Sequence, residues 1–293
     1  MIELVNNDLT VKINEMGAEL TSVINSDSIE FMWQADKAFW GGRHAPVLFP
    51  IVGRLKDDQY QYDGKTYSMS QHGFARDNHF SVVAQTSTAV TLELKSNENT
   101  KLKFPFDFSL RITYTLDQHS LKVGYEVINQ GEAEMPFSIG AHPGFNIPLV
   151  TDEASFTDYV LRVAPATNYQ QVPLRAPLSD PQNTHELNLR QPLALTHQLF
   201  ENDAVILELE GKEITVMLET VKNDHGVALT VLMPPYLGIW SPYPKEAPFV
   251  CLEPWWGGLA DPVDTDGKLE HKFAINHLAT KQQFTADFSM TFF

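Results

Sequence analysis

Two segments of the 293-residue sequence carry side chains suited to proton transfer. His142 lies in the tight loop Gly-Ala-His-Pro-Gly after a predicted strand, and Glu253 ends an apolar strand that Pro254, Trp255 and Trp256 follow. A histidine with its ordinary pKa of about 6.5 exchanges protons near neutrality, and large aromatic neighbours raise the pKa of a carboxyl group toward that of a useful base. The two residues are therefore candidates for a general acid and a general base, although each alone is equally compatible with a structural role.

Other polar residues interrupt apolar or glycine-rich segments and are candidate sugar ligands. Arg54 is the lone cation in segment 46–55, and its guanidinium could bind sugar hydroxyls or a phosphate, or lie at the rim of the fold. His72 precedes Gly73, which lets a ligand approach the backbone closely, but the same pair also occurs in ordinary turns. The rings of Trp255 and its neighbour could stack on a pyranose ring or belong to the core.

The rest of the sequence predicts the strands that must position these residues. Apolar residues alternate with polar ones over 108–116 and 121–127, which indicates a hairpin, and the same period recurs at 205–209, 214–218 and 284–292. Such closely spaced strands favour an all-β protein, a large antiparallel β-sandwich, with 1–293 as a single domain. The polar segment 164–200, with five prolines, is predicted to be a long irregular excursion.

Charge and motifs exclude several classes of function. The net charge of −16 disfavours nucleic acid and membrane surfaces as partners, and a strongly anionic substrate would require arginines in the site. One cysteine and the lack of a signal-peptide pattern predict a cytoplasmic protein. The sequence has no zinc-binding His-Glu-x-x-His helix, cysteine pair, nucleophile elbow or P-loop, so we expect no metal site.

Taken in order along the chain, these segments resemble the aldose 1-epimerase (galactose mutarotase-like) family over nearly the whole sequence. The order is Arg54, then His72-Gly-Phe-Ala-Arg76, then His142-Pro, then Asn202-Asp203, then Glu253 before the tryptophans. The His-Gly-Phe-Ala-Arg motif is similar to that of the operon-associated subgroup found in lactose and tagatose clusters. The resemblance implies a galactose mutarotase-like supersandwich with its site in a cleft on one sheet.

The resemblance also implies a role for each residue. His142 would be the general acid at the ring oxygen and Glu253 the general base on the C1 hydroxyl, while Arg54, His72 and Asp203 would hold sugar hydroxyls. Arg76 resembles an arginine of the branch that acts on hexose 6-phosphates. Ring opening and closure by one acid and one base requires no cofactor. A nearby carboxylate and the acidic protein should raise the pKa of His142, while Arg54 and Arg76 would act in the opposite direction. We expect activity to fall in acid as Glu253 is protonated and in alkali as His142 loses its proton.

Four functions follow as hypotheses. The first is a mutarotase that interconverts the α and β anomers of a free aldose. The second is a hexose-6-phosphate mutarotase, which Arg54 and Arg76 favour and the net charge of −16 disfavours. The third is a non-catalytic carbohydrate-binding or sensing protein, and the fourth a glycoside hydrolase with Glu253 and Asp203 as its two carboxyl groups. In each case the partner is a small-molecule sugar or sugar phosphate, and the protein would be a monomer or homodimer.

Overall fold

The computed structural model describes residues 1–151 and 153–293, and antiparallel strands dominate it. The strands are, in chain order, β1 (Ile2–Val5), β2 (Leu9–Asn14), β3 (Glu19–Asn25), β4 (Val47–Leu48), β5 (Gln59–Tyr62), β6 (Lys65–Ser68), β7 (Ser81–Gln85), β8 (Ala89–Lys95), β9 (Phe108–Asp117), β10 (Ser120–Asn129), β11 (Met135–Phe137), β12 (Ile139–Ala141), β13 (Gly144–Asn146), β14 (Tyr159–Ala164), β15 (Asn168–Val172), β16 (Leu174–Arg175), β17 (Leu178–Ser179), β18 (His185–Asn188), β19 (Leu193–Ala194), β20 (Val205–Glu208), β21 (Ile214–Thr220), β22 (Val227–Val231), β23 (Tyr236–Trp240), β24 (Phe249–Trp256), β25 (Asn276–Leu278) and β26 (Gln283–Phe292).

Helical structure is confined to short segments. The α-helices are α1 (Lys37–Trp40) and α2 (Glu98–Lys101), and single 3-10 turns occur at Lys56–Asp58, Ala75–Asp77, Phe156–Asp158, His197–Phe200 and Leu269–His271. Over the two described ranges, no helix is both long enough and apolar enough to cross a membrane. Strands and the loops between them therefore position most side chains discussed below.

Two large sheets form the body of the protein. One has nine strands in the order β19-β14-β21-β22-β26-β10-β9-β8-β7. The other has the order β18-β15-β20-β23-β24-β12-β4, with β13 also pairing with β24. The smaller sheets are β1-β2-β3, β5-β6, β11-β25 and β16-β17. The prediction of an all-β fold with large antiparallel sheets is thus confirmed.

The main core lies between the two large sheets and follows from the alternation in the sequence. Leu110, Ile112 and Tyr114 of β9 are buried, and β9 pairs with β10 as the predicted hairpin. The same hydrophobic cluster runs from Ile2 at one end of the chain to Phe292 at the other. Since one cluster joins strands from the whole sequence, we infer that residues 1–293 form a single domain.

The structure corrects the description of segment 164–200 as irregular. Here β15 and β18 extend the eight-stranded sheet, and β19 forms an edge of the nine-stranded sheet. β18 and β19 are edge strands, and β15 beside β18 is only partly buried, so these short strands lack the apolar alternation by which strands are predicted. The turn at Glu210-Gly211 joins β20 to β21, which lie in opposite sheets.

Candidate active site

A cavity of about 620 Å³ opens on the eight-stranded sheet and gathers all seven site residues predicted from the sequence. These are Arg54, His72, Arg76, His142, Asp203, Glu253 and Trp255. They are separated by as many as two hundred positions in the chain, and the sheet and its loops bring them to one place. Segment 164–200, whose position relative to the site the sequence does not indicate, also lines the cavity through Leu174, Ala176 and Pro177.

Strand β24 is buried on both faces and separates the site from the core. Val250, Leu252 and Trp256 belong to the main core between the sheets. Alternate side chains of a strand point to opposite faces, so Phe249, Cys251, Glu253 and Trp255 share the other face. Glu253 and Trp255 line the cavity, whereas Cys251 lies among aromatic rings beneath it. An otherwise apolar strand thus carries one carboxyl group, at the cavity floor.

The segment that connects β12 to β13 places His142 directly opposite Glu253 of β24. Strand β12 pairs with β24 through Gly140 and Trp255, and β13 resumes the pairing through Gly144 and Cys251 in the same register. His142 therefore occupies the cross-strand position of Glu253, and its Nε2 atom lies 3.1 Å from Oε2 of that residue. The two groups are therefore in direct polar contact.

Burial governs the protonation of this pair. His142 is 6% and Glu253 2% exposed. Burial lowers the pKa of His142 well below its ordinary value, and the nearby His72 and Arg76 lower it further. Burial also raises the pKa of Glu253 well above its ordinary value, and the charge of Asp203 adds to this. Both directions favour one shared proton that resides on Glu253. The expectation of a raised pKa for His142 is wrong, because burial removes the hydration that an imidazolium requires.

His72 is held as a neutral hydrogen-bonding group. Its Nδ1 accepts a hydrogen bond from the backbone N–H of Gly53 at 3.1 Å. Burial, with the charges of Arg76, Lys272 and Arg54, lowers the pKa of His72 to about 3. Because Nδ1 is an acceptor in the neutral ring, the proton is on Nε2, which can donate a hydrogen bond.

Gly53 is required where the chain passes from β4 to Arg54. Its φ is +74°, and a Cβ at this position would lie 2.2 Å from the backbone nitrogen of Ala260. The adjacent Asp261 donates its backbone N–H to the carbonyl oxygen of Arg54 at 2.8 Å, and its Oδ2 accepts from the backbone N–H of Lys56 at 2.9 Å. The buried Lys272 Nζ lies 3.5 Å from Oδ1 of Asp261 and completes this support. The loop that carries Arg54 is thus fixed by a buried ion pair.

Two arginines give the cavity a cationic side. Arg54 Nε lies 3.1 Å from Oδ1 of Asp58 and remains partly exposed. Arg76 Nη2 donates to the backbone oxygen of Gln71 at 2.7 Å, and its Nε is 3.9 Å from Asp77. Asp77 makes a closer ion pair with Arg43, at 2.6 Å. The charge of Arg76 is therefore only partly balanced by its neighbour.

Asp203 provides a second carboxyl group in the cavity. It precedes β20 and has φ of +74°, a left-handed conformation in which Asp is more common than most residues. Asp203 is exposed overall, but partial loss of hydration at its carboxyl group raises its pKa, while hydrogen bonds from the backbone of Ala204 and the side chain of Trp240 act in the opposite direction. The cavity thus has carboxyl groups and cationic groups facing the same space, which suits a polar ligand rich in hydroxyls.

Two aromatic residues of the site were missed from the sequence. The ring centroids of Trp40, at the end of α1, and of Trp240, at the end of β23, lie 4.6 and 5.6 Å from that of His142. Both tryptophans line the cavity. The signal available was the position of Trp40 before Gly41-Gly42 and of Trp240 before a segment rich in proline, since loops after regular elements often carry functional residues.

The floor of the cavity also contains a group of potential metal ligands. One ligand atom each from His142, Cys251 and Glu253 lie within 4.8 Å of one another. The sequence indicated no such site, because His142, between β12 and β13, is far along the chain from the other two residues. A histidine, a thiol and a carboxyl group together are a donor set of the kind that binds zinc.

Comparisons with known proteins agree with this description. Residues 1–272 match the family described as aldose 1-epimerase. A curated relative, Protein LacX of Lactococcus lactis subsp. lactis, is 36% identical over 282 residues, which is 92% of each chain. Among solved structures, a galactose mutarotase related enzyme of Lactobacillus acidophilus is 43% identical, with a TM-score of 0.97 over 100% of this chain and 97% of the other. A galactose mutarotase-like protein of Lactobacillus casei is 36% identical, with a TM-score of 0.90 over the whole of both chains.

Proposed function

The chain belongs to the aldose 1-epimerase family, and we propose that it interconverts the α and β anomers of an aldose through acid–base opening and closure of the sugar ring. A mutarotase-type function in carbohydrate metabolism follows from the family. Our proposal adds the residues that act and the form of the substrate, a free aldose. It also assigns Arg54, His72, Asp203 and Trp255 to the binding of the sugar.

The chemistry requires two proton transfers at neighbouring oxygens. Glu253, as carboxylate, removes the proton of the C1 hydroxyl while the imidazolium of His142 protonates the ring oxygen. The C1–O5 bond breaks and leaves an open-chain aldehyde with a hydroxyl on C5. Rotation about C1–C2 exposes the other face of the aldehyde, and the reverse transfers close the ring as the other anomer. The competent form requires the resting proton to move from Glu253 to His142 over the 3.1 Å between Oε2 and Nε2.

One observation carries the proposal, namely the contact of 3.1 Å between His142 Nε2 and Glu253 Oε2 at the cavity floor. O1 and O5 of a pyranose are bonded to the same carbon, so their acid and base must also be neighbours. A glycoside hydrolase would instead need two carboxyl groups on either side of a glycosidic bond. The acid–base pair likewise favours an enzyme over a binding or sensing protein, because binding and sensing do not require an acid and a base in contact.

A hexose-6-phosphate mutarotase is the second candidate. Arg54 and Arg76 line the same cavity as the acid–base pair, and the charge of Arg76 is only partly balanced. Guanidinium groups bind phosphate through charge-assisted hydrogen bonds. The net charge of −16 opposes this at long range, but groups within a cavity act at much shorter distance.

The test is the equilibration of fresh α-glucose, α-galactose and glucose 6-phosphate, followed through the anomeric proton by NMR. The wild type should accelerate at least one of them, and Glu253→Gln should slow that reaction by about 100-fold or more. Glu208→Gln is the matched control, because it makes the same change on the same sheet outside the cavity lining. A folded wild type that accelerates none of the three sugars would refute the proposal.

A further inference from the structure

We propose that His142, Glu253 and Cys251 form a binding site for a zinc-class divalent ion at the cavity floor, and that an ion bound there blocks the proton transfers. The second part rests on the proposed function, whereas the first part concerns the ligands alone. The proposal departs from the expectation of no metal site, which was based on local spacing in the sequence.

The arrangement of the strands creates the site. Cys251 and Glu253 are two positions apart on β24, so they share one face of the sheet. His142 lies across from Glu253, in the segment between β12 and β13 that runs beside β24. The chain contains a single cysteine, and β24 places it beside the acid–base pair. The ligand atoms of the three residues thus form a small triangle.

Distances within the triangle suit a tetrahedral ion. Zinc bound to nitrogen, oxygen and sulfur at its usual bond lengths separates these ligands by about 3.3 to 3.8 Å. The Nε2 to Oε2 distance of 3.1 Å is already close to one edge, and all three ligand atoms lie within 4.8 Å. The thiol needs to approach by no more than about 1 Å, which a change of side-chain torsion can provide.

The position of the triangle leaves one coordination site open. His142 and Glu253 line the cavity, while Cys251 lies behind them among Trp33 and Phe249. An ion held by the three would face the cavity with its fourth position, where water or a sugar hydroxyl could bind. Coordination occupies the lone pairs of His142 and Glu253 that proton transfer requires, so the bound ion inhibits.

The test uses Cd²⁺ as a spectroscopic probe and Zn²⁺ for affinity. A thiolate bound to Cd²⁺ gives a charge-transfer band in the ultraviolet, and because the chain has one cysteine the band reports Cys251 alone. The full-length protein should develop the band up to one equivalent of Cd²⁺. Zinc affinity, from calorimetry, should fall by about 100-fold or more in Cys251→Ala, since even outer-sphere partners of metal ligands are worth about 10 to 100-fold.

Two control variants show whether the ion binds at Cys251 or at other side chains of the protein. Cys251→Ser should lose the band in the same way, which guards against a packing defect in the alanine variant. His271→Asn removes an exposed histidine that lies 2.7 Å from Asp266, and it should bind zinc as the wild type does. Absence of the band at saturating Cd²⁺, or equal zinc affinity in the wild type and Cys251→Ala, would overturn the site.

The inhibition is measured separately on sugar equilibration. Zinc should inhibit the wild type at concentrations near its dissociation constant, and Cys251→Ala should require about 100-fold more. Equal inhibition of the two proteins would overturn the second part of the proposal. The Cd²⁺ band needs no turnover, so a protein inactive on every sugar would refute the proposed function while the metal site was still decided by absorption.

Discussion

The indole ring of Trp255 lies over Gly238, the residue that pairs with Glu253 on the neighbouring strand. A Cβ added to Gly238 would lie 2.6 Å from Cζ2 of Trp255, and one added to Gly140 would lie 2.7 Å from Cδ1. Two glycines on either side of β24 thus leave the space in which the ring rests. The orientation of Trp255 beside Glu253 depends on residues that have no side chain.

Gly238→Ala should therefore move Trp255 and destabilise the protein. Overfilling a packed site costs about 1 to 3 kcal/mol, and displacement of the ring should also raise the KM for the sugar. Gly124→Ala is the matched control. A Cβ added at Gly124, in a strand of the opposite sheet, would lie no closer than 3.9 Å to any atom beyond the adjacent residues. Urea unfolding and sugar equilibration measure both effects, and equal behaviour of the two variants would count against the packing argument.

The acid–base pair should rest with a neutral imidazole. Burial lowers the pKa of His142 and raises that of Glu253, so between these two values the pair holds one proton, on Glu253. Nitrogen-15 NMR of labelled histidine at about pH 7 should show the shifts of a neutral ring for His142. The imidazolium signature in the free protein would contradict this protonation state.

The lowered pKa of His142 and the raised pKa of Glu253 exchange the two groups that were expected from the sequence to set the acid and alkaline limbs of the pH profile. As pH falls, the pair gains a second proton, on His142, and no base remains; as pH rises, the pair loses its only proton and no acid remains. The acid limb of activity should thus lie below the ordinary pKa of histidine, about 6.5, and the alkaline limb above the ordinary pKa of glutamate, about 4.3. Sugar equilibration across pH gives both limbs, which belong to the pair as a whole. An acid limb at or above the ordinary histidine pKa would contradict the assignment.

Much of the fold could be predicted from the sequence, because buried strands leave a visible record. The alternation in β9 and β10 predicted their pairing, and the order of polar motifs indicated seven residues that line one cavity. Strands β15 and β18 could not be predicted in the same way, since β15 is only partly buried, β18 is largely exposed, and neither has an alternating apolar face.

The protonation of His142 and Glu253 and the proximity of Cys251 to them could not be predicted from the sequence, because both depend on the tertiary structure. The sequence shows that His142 and Glu253 exist, but it does not show that both are nearly fully buried, which decides the direction of each pKa. It also does not show that Cys251 lies beside His142, because that proximity requires the register of β13 against β24. Such properties arise from pairing across the sheet rather than from local spacing.

His72 should make the protein less stable in acid. Its pKa is lowered to about 3 in the folded state, while the unfolded chain binds a proton near its ordinary pKa of about 6.5. Below about pH 6.5 the unfolded state therefore binds more protons, and stability falls as pH decreases toward the folded pKa. The loss can reach about 1.4 kcal/mol per pH unit, or about 2 kcal/mol between pH 6.5 and 5.

His72→Asn should remove this contribution while it preserves the local structure. The Oδ1 atom of asparagine can accept the hydrogen bond from Gly53, and asparagine tolerates the φ of +66° found at this position. Urea unfolding at several pH values should give a shallower decline for the variant than for the wild type. His185→Asn, an exposed histidine in β18, should leave the slope unchanged. Parallel slopes for the wild type and His72→Asn would show that His72 titrates normally.

Arg76 should distinguish a phosphorylated substrate from a free sugar. A hydrogen bond to a charged group contributes about 1.5 to 3 kcal/mol, so Arg76→Gln should raise the KM for glucose 6-phosphate by about 10 to 100-fold if that sugar is the substrate. The KM for a free aldose should change far less, because its hydroxyls carry no charge. Arg162→Gln makes the same change in net charge at an exposed position of β14 in the opposite sheet, and it should alter neither value. Arg54→Gln should instead raise the KM for both substrates, because Arg54 is assigned to the hydroxyls that the two sugars share. An equal effect of Arg76→Gln on both substrates would assign this arginine to the sugar ring and remove the support for the phosphate.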